Sequence, residues 1–355
     1  MSMGPKEVAL ELVPQARYDV IDVVARIKER FGDVFNGYRK TVYCSLHTTA
    51  GYLEQSFCMR LQNSRAQVDP FIRAFQKLFP PDANYRHDQI QLRQELSDEQ
   101  KKCEPRNADS HLTFISSGLK NCVTYVNRPG RPVYFIDLDG TFENVHRTRQ
   151  TNAILYDTED IVHHAKIPVP VSKHQIDSVN LKDPRNGFFG LINELLKKLD
   201  ISKGRIDLAL DSNESHAGLT VNEWETLLMR YDLAEVLRNP LKFMAMQGRS
   251  MLLDPKAIPS KTIDYAKYDF VHIFNELMDA FRVSESVVEK ILSTFISLPA
   301  SRFLRMKRSA SLLVSDNGDG QAKIVQGTYQ SPILVQWKRA EQQVRYIDVT
   351  IHRFR

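Results

Sequence analysis

The sequence predicts an α+β chain built as two tandem modules, each a mostly antiparallel, sandwich-like sheet with flanking helices. Three observations carry this expectation. Short runs recur: Thr113-Phe114-Ile115-Ser116 returns as Thr294-Phe295-Ile296-Ser297, and Ala50-Gly51 returns as Ala217-Gly218. Amphipathic helical stripes open both halves, and β-type alternation around glycine turns closes them. The length of 355 residues fits two domains at a prior of roughly 150 residues each.

The repeats step by 167 positions at Ala50/Ala217, by 181 at Thr113/Thr294, and by 180 at Gln150/Gln330. The expected division is a first module at 1–172, a linker at 173–184 around Pro168, Pro170 and Pro184, and a second module at 185–355.

In order along the chain, the first helix shows Val20, Val23, Val24, Ile27 and Phe31 on one face. Its counterpart shows Phe188, Leu191, Ile192, Leu195 and Leu199. Gly32 and Gly37, and Gly204 in the second half, are expected to stop these helices. Strands follow at Lys40–Leu46 and Ile206–Leu210, rich in Val, Tyr, Ile and Leu. Val68, Phe71, Ile72, Phe75 and Phe79 have helical spacing, as do Leu233, Val236 and Leu237. The polar stretch 80–106 reads as a loop, where insertions are absorbed most readily.

Composition excludes little: 42% hydrophobic, 26% charged and a net charge of +5 are ordinary for a globular protein. No apolar run reaches the roughly 18 residues of a membrane span. The first residues carry Lys6, Glu7 and Glu11 and no apolar segment, so a secretory signal is not expected. Cys44, Cys58, Cys103 and Cys122 form no C-x-x-C pair, which fits free thiols in the cytoplasm.

The first half contains Leu46-His47-Thr48-Thr49-Ala50, then Tyr85-Arg86-His87-Asp88, then Asn107-Ala108-Asp109-Ser110-His111-Leu112. The second half contains Leu219-Thr220-Val221-Asn222-Glu223 and Gly327-Thr328-Tyr329-Gln330. Together these resemble the YjbQ-like family, whose pattern is H-T-[ST]-A, L-T-I-N-E, Y-x-H, N-A-D-A-H-L and G-T-W-Q. The resemblance runs over nearly the whole chain as two degenerate copies. Ser56 stands where the first copy would carry the family glutamate, and Glu214 stands where the second would carry the histidine.

The resemblance implies a secondary thiamine-phosphate synthase type of transferase, acting on a small phosphorylated or pyrophosphorylated heterocycle. It implies a homo-oligomer, with sites near subunit boundaries that a fused pair could build from both copies. His47, His87 and His111 are then the acid–base groups, or ligands of a divalent metal such as Zn or Mg. Asn107 and Asp109 would orient a histidine or contact phosphate. Thr48, Thr49, Gln150 and Gln330 complete the expected phosphate contacts. Glu223 is a candidate general base or metal partner; the competing reading is a glutamate opening a helix. Gln150 and Gln330, at one repeat register, are expected to share a structural role. The alternative for the whole chain is a non-catalytic binding or assembly module whose histidines are remnants.

Two other motifs need weighing. Asp137-Leu138-Asp139-Gly140-Thr141 matches the D-x-D-G-T pattern of haloacid-dehalogenase-type phosphatases, with Asp137 as nucleophile and Asp139 as acid. Asp139-Gly140 also reads as a hairpin turn, and is favoured as that. Basic residues gather at Arg302, Arg305, Lys307 and Arg308, and at His352, Arg353 and Arg355. A solvated strand edge explains them better than nucleic-acid binding. On strand Lys40–Leu46, Cys44 falls on the face opposite His47, which argues against a local Cys/His nucleophile.

Overall fold

The computed structural model describes residues 4–223 and 308–355, apart from 82–84, 86, 93–96, 143–144, 175–176, 317, 319, 321 and 337. The expected helix around Leu233 and the repeat at Thr294 therefore lie outside the described residues, as do Arg302, Arg305 and Lys307.

The first half runs β1 (Lys6–Leu12), β2 (Asp19–Asp22), α1 (Val23–Phe31), β3 (Lys40–Ser45), β4 (Ala50–Tyr52), α2 (Gln55–Arg60), α3 (Arg65–Leu78), α4 (Asp98–Cys103), α5 (Ala108–Ser116), β5 (Cys122–Val126), β6 (Tyr134–Asp137), β7 (Thr141–Phe142), β8 (Val145–His146) and β9 (Arg149–Tyr156). The second runs β10 (Glu159–Pro170), β11 (Asp177–Asn180), α6 (Phe188–Lys198), β12 (Lys203–Leu210), β13 (Ala217–Glu223), β14 (Ser309–Ser315), β15 (Lys323–Val325), β16 (Gln330–Gln336) and β17 (Val344–Phe354).

The class is α+β with antiparallel sheets, as expected. The large sheets have the orders β1-β9-β3-β5 and β10-β17-β12-β14-β15. The small ones have the orders β2-β6-β4 and β11-β16-β13. Position by position, the second pattern repeats the first, with β15 added at one edge.

Strand pairing fixes the repeat register. Ala50 lies opposite Asp137, and Ala217 lies opposite Gln336. Asp19 lies opposite Asp137, and Asp177 opposite Gln336. So Asp137 corresponds to Gln336. In the large sheets β9 corresponds to β17, which places Arg149 on Arg345, 196 positions on. The Ala50/Ala217 step of 167 holds. The expected match of Gln150 with Gln330 does not, because β15 and a longer turn enter before β16 and shift the later register.

Pairing also moves the module boundary. The expected first module ended at 172, yet β10 pairs along its length with β17 of the second sheet. The expected linker 173–184 contains β11, which pairs with β16. The change of sheet comes at Asp157–Thr158. By compactness the chain divides differently again. One unit holds 1–59, 118–224 and 307–355, and thus all these sheets; the described residues of the other lie within 60–117.

Local chemistry explains most elements. Asp22 caps α1, its carboxylate accepting from the amides of Val24 (3.0 Å) and Ala25 (3.2 Å). Gly32 ends that helix at φ 67°, a conformation glycine adopts without strain. The stripe buries Val23 and Ile27, whereas Val20 belongs to β2 and Phe31 is exposed. In α6 the buried residues are Phe188, Ile192 and Leu196, so the inward face lies one residue beyond Leu195. Gly204 does not stop a helix. It lies within β12, where a Cβ would meet the His352 carbonyl oxygen at 2.2 Å.

Asp139-Gly140 is not a hairpin turn either. The hairpin is the next one, β7 with β8, and Gly140 is needed because a Cβ would meet the Ala16 oxygen and Pro14 Cβ at 2.5 Å. Nor is the C-terminal basic group on an edge, since β17 is central in its sheet. His352 pairs with Asp207 at 2.9 Å, Arg355 with Asp160 at 2.5 Å, and Arg353 donates to the Leu199 carbonyl. Among the described residues no helix is long and apolar enough to cross a membrane.

Candidate functional site

His47 sits in the turn between β3 and β4, and the turn is held from every side. Its amide is 3.3 Å from Ser45 Oγ, and that hydroxyl donates to the Ala50 carbonyl at 2.7 Å. Leu46 donates to the Gln150 carbonyl at 3.1 Å. The His47 carbonyl accepts from Asn121 Nδ2 at 2.6 Å and from Gln330 Nε2 at 3.0 Å.

The ring itself is engaged. Nε2 accepts from the Gln150 amide at 2.7 Å, and Nδ1 lies 3.5 Å from Arg149 Nη1. Burial, then the charges of Arg149 and Arg147, push the His47 pKa down to about 3. The imidazole is therefore neutral at physiological pH and a weak base.

Arg149 explains the surroundings. It is buried and makes a two-pronged pair with Asp137, at 2.6 Å from Nε and 3.0 Å from Nη2. It also donates to the Asp139 carbonyl. Asp137 is fully buried, and burial raises its pKa against the pull of Arg149. Asp139 is buried and lies 3.3 Å from Arg147. The phosphatase reading needs these carboxylates at an open strand end. Asp137 instead spends both oxygens on Arg149, inside an antiparallel sheet, so that reading fails.

Module two contributes to the same turn. Gln330 is buried; its Oε1 accepts from the Gly327 amide at 2.9 Å, and its Nε2 also donates to the Ser45 carbonyl at 2.8 Å. Gly327 lies so close that a Cβ would fall 1.8 Å from the Leu46 oxygen. Gln150 acts differently: its side chain is exposed and only its backbone holds His47, so no shared role joins it to Gln330. Glu223 is the last residue of β13, opposite Gln330. Thr48 is half-buried; Thr49 is buried, its carbonyl accepting from Leu138 at 3.1 Å.

His87 and His111 belong to the other compact unit. All of α5 is buried, including Asp109 and His111. Asn107 stands at its N-cap, but the capping carboxylate is Asp88, which accepts from the Ala108 amide at 3.1 Å. The same Asp88 oxygen lies 2.8 Å from His87 Nδ1. An ionised carboxylate only accepts, so Nδ1 carries a proton, and in the neutral ring Nε2 carries the lone pair. The His87 and His111 ring centroids are 5.2 Å apart, tilted by 58°.

This is chemistry-bearing geometry: a carboxylate-oriented imidazole against a second one. Among the described residues, no group of three or more His, Cys, Asp or Glu side chains is placed to hold a metal ion. Sequence reasoning did not single out Asp88, although it directly follows His87. Nothing in the sequence marked Asn121.

No family model matches the chain, and no curated protein matches it. Solved structures are similar to it. A YbjQ-like protein of unknown function from Sulfolobus solfataricus P2 has 16% identity over 55% of this chain and 99% of its own, with a TM-score of 0.29. A hypothetical protein from Aeropyrum pernix K1 has 17% identity over 43% of this chain and 99% of its own, with a TM-score of 0.30. An uncharacterized conserved protein of the YjbQ family from Clostridium acetobutylicum has 14% identity over 53% of this chain and 98% of its own, with a TM-score of 0.27. The chain is thus similar, distantly and over about half its length, to solved YjbQ-type structures.

Proposed function

We propose that the chain is a YjbQ-like enzyme acting on a small phosphorylated or pyrophosphorylated heterocycle, with a thiamine-phosphate synthase-like transfer as the specific form. The observation that supports it is the Asp88–His87 pair beside His111. Asp88 fixes the tautomer of His87 and also caps α5, so the ring and the helix carrying His111 are positioned by one carboxylate. In this reading His87 Nε2 takes a proton. The His87 imidazolium, with an N–H donated by neutral His111, then stabilises charge on a departing pyrophosphate. His47 has no proton-transfer role; it shapes the turn that Gln330 completes.

Titration calorimetry with inorganic pyrophosphate tests this. His87→Ala and His111→Ala should each weaken binding about tenfold or more, with circular dichroism unchanged, while His47→Gln stays near wild type. Metal content is measured on the same samples, since a divalent ion is the other role the resemblance implies for these histidines. Equal binding by all variants sinks the proposal.

A second reading is a non-catalytic binding or assembly module. It is favoured by His47, whose place in module two is taken by Glu214 with the same hydrogen-bonding duty. Wild-type protein that holds neither metal nor pyrophosphate would support it.

A further inference from the structure

Cys44 and Cys122 lie directly opposite each other on β3 and β5. The next pair along, Ser45 and Asn121, is hydrogen-bonded, with the Ser45 amide donating to the Asn121 carbonyl at 2.8 Å. Bonded and non-bonded pairs alternate across an antiparallel ladder, so Cys44 and Cys122 occupy a non-hydrogen-bonded position. There the Cα atoms approach to about 4.5 Å, within the roughly 4.4–6.8 Å that a disulfide spans. Both side chains point to one face, into an apolar cluster with Val42, Ile154, Leu313 and Phe354. Both thiols are free.

We propose that Cys44 and Cys122 form a redox-active dithiol that closes to a cross-strand disulfide under a peroxide-class oxidant. One sulfur attacks a peroxide oxygen, the O–O bond breaks and water leaves, giving a sulfenic acid. The second sulfur displaces that hydroxyl as another water and forms the S–S bond. Two thiols lose two hydrogens, and one hydrogen peroxide becomes two waters. The hydrogen bond to Cys44 and then burial raise the Cys122 pKa, so closure is slow in the resting fold.

The consequence falls on the His47 turn. Ser45 and Asn121, the two residues adjoining the pair, both hold that turn. A covalent tie one step away stiffens its base. Cys58 is the internal control: it is buried too, but its sulfur lies 3.2 Å from the Tyr125 hydroxyl.

The test treats folded, reduced full-length protein with hydrogen peroxide, blocks remaining thiols before denaturation, and maps peptides without reductant. The expected result is a loss of two hydrogen atoms, a Cys44–Cys122 linked peptide, and recovery with dithiothreitol. Cys122→Ala should abolish the link and Cys58→Ala retain it. Hydrogen exchange at amides 45–49 should slow on oxidation of wild type. Oxygen addition without a link, a link through Cys58 or Cys103, or no change in mass would each overturn the proposal.

Discussion

Around Arg149 the negative charge comes from a strand, and around Arg345 it comes from a loop. In module one Asp137 on β6 pairs with Arg149, and His47 in the turn is neutral. In module two the strand position is Gln336, whose Oε1 accepts from Arg345 Nε at 3.0 Å. The loop position is Glu214, 2.6 Å from Arg345 Nη1 and 2.8 Å from the Tyr346 amide. Tyr346 follows Arg345 as Gln150 follows Arg149, so Glu214 accepts from the two groups that His47 faces. Each arginine keeps one carboxylate, but the carboxylate has changed elements. A buried guanidinium needs one counter-charge and tolerates its arriving from either side. Conservation of charge, rather than of residue, is what relates the modules here. It also reclassifies His47: its partners are structural ones that a glutamate can serve.

The comparison can be broken at several points. The largest effect is expected from Asp137→Gln, which gives module one the strand residue of module two without its loop carboxylate. Arg149 is then buried without a counter-charge, and thermal denaturation should report a loss of about 3–5 kcal/mol. A loss under ~1 kcal/mol would mean that the pair carries little. Next is Gly327→Ala, where the added Cβ collides with the Leu46 backbone; the loss should be about 1–3 kcal/mol or more. Wild-type stability would show that module two does not press on the turn.

Third is the pH dependence of His47. Its folded pKa, about 3, lies below the ordinary histidine value of 6.5. The unfolded chain therefore binds the proton in between, and stability falls as pH drops from about 6.5 toward about 3. Because the ring is partly exposed, the loss by pH 4 is on the order of 2 kcal/mol. Comparing wild type with His47→Gln isolates it: the variant should lose less on acidification, and parallel curves would refute the neutral-imidazole assignment. Smallest is Gln330→Ala, at about 1–2 kcal/mol. The His47 carbonyl keeps Asn121, while the buried carbonyl of Ser45 loses Gln330.

The sequence revealed what depends on local patterns. The α+β class, β3, the Gly32 stop, and the buried pair Val23 and Ile27 follow from periodicity and backbone preference over a few residues. The Ala50/Ala217 match was visible because the turns leading into it, 46–49 and 211–216, are both short. The later register was not, because β15 adds residues whose place is set only by pairing with β14. At the site, His47 and Gln330 were named as candidates, but not their contact, which joins residues 283 apart. Asp88 was missed for a different reason: its value comes from Ala108, twenty residues on, as well as from its neighbour His87. The mid-strand place of Gly204 was hidden because the carbonyl crowding it belongs to His352.

The most direct measurement is a double-mutant cycle at the arginine clamp of module one. Asp137→Gln, His47→Glu and the combined variant are compared with wild type by thermal denaturation. If the modules are copies with a displaced carboxylate, Glu at 47 takes the Arg149 Nη1 and Gln150 amide positions, and the double variant recovers at least half of what Asp137→Gln loses. If the two substitutions simply add, with no coupling beyond about 0.5 kcal/mol, His47 and Glu214 are not equivalent and the account is wrong.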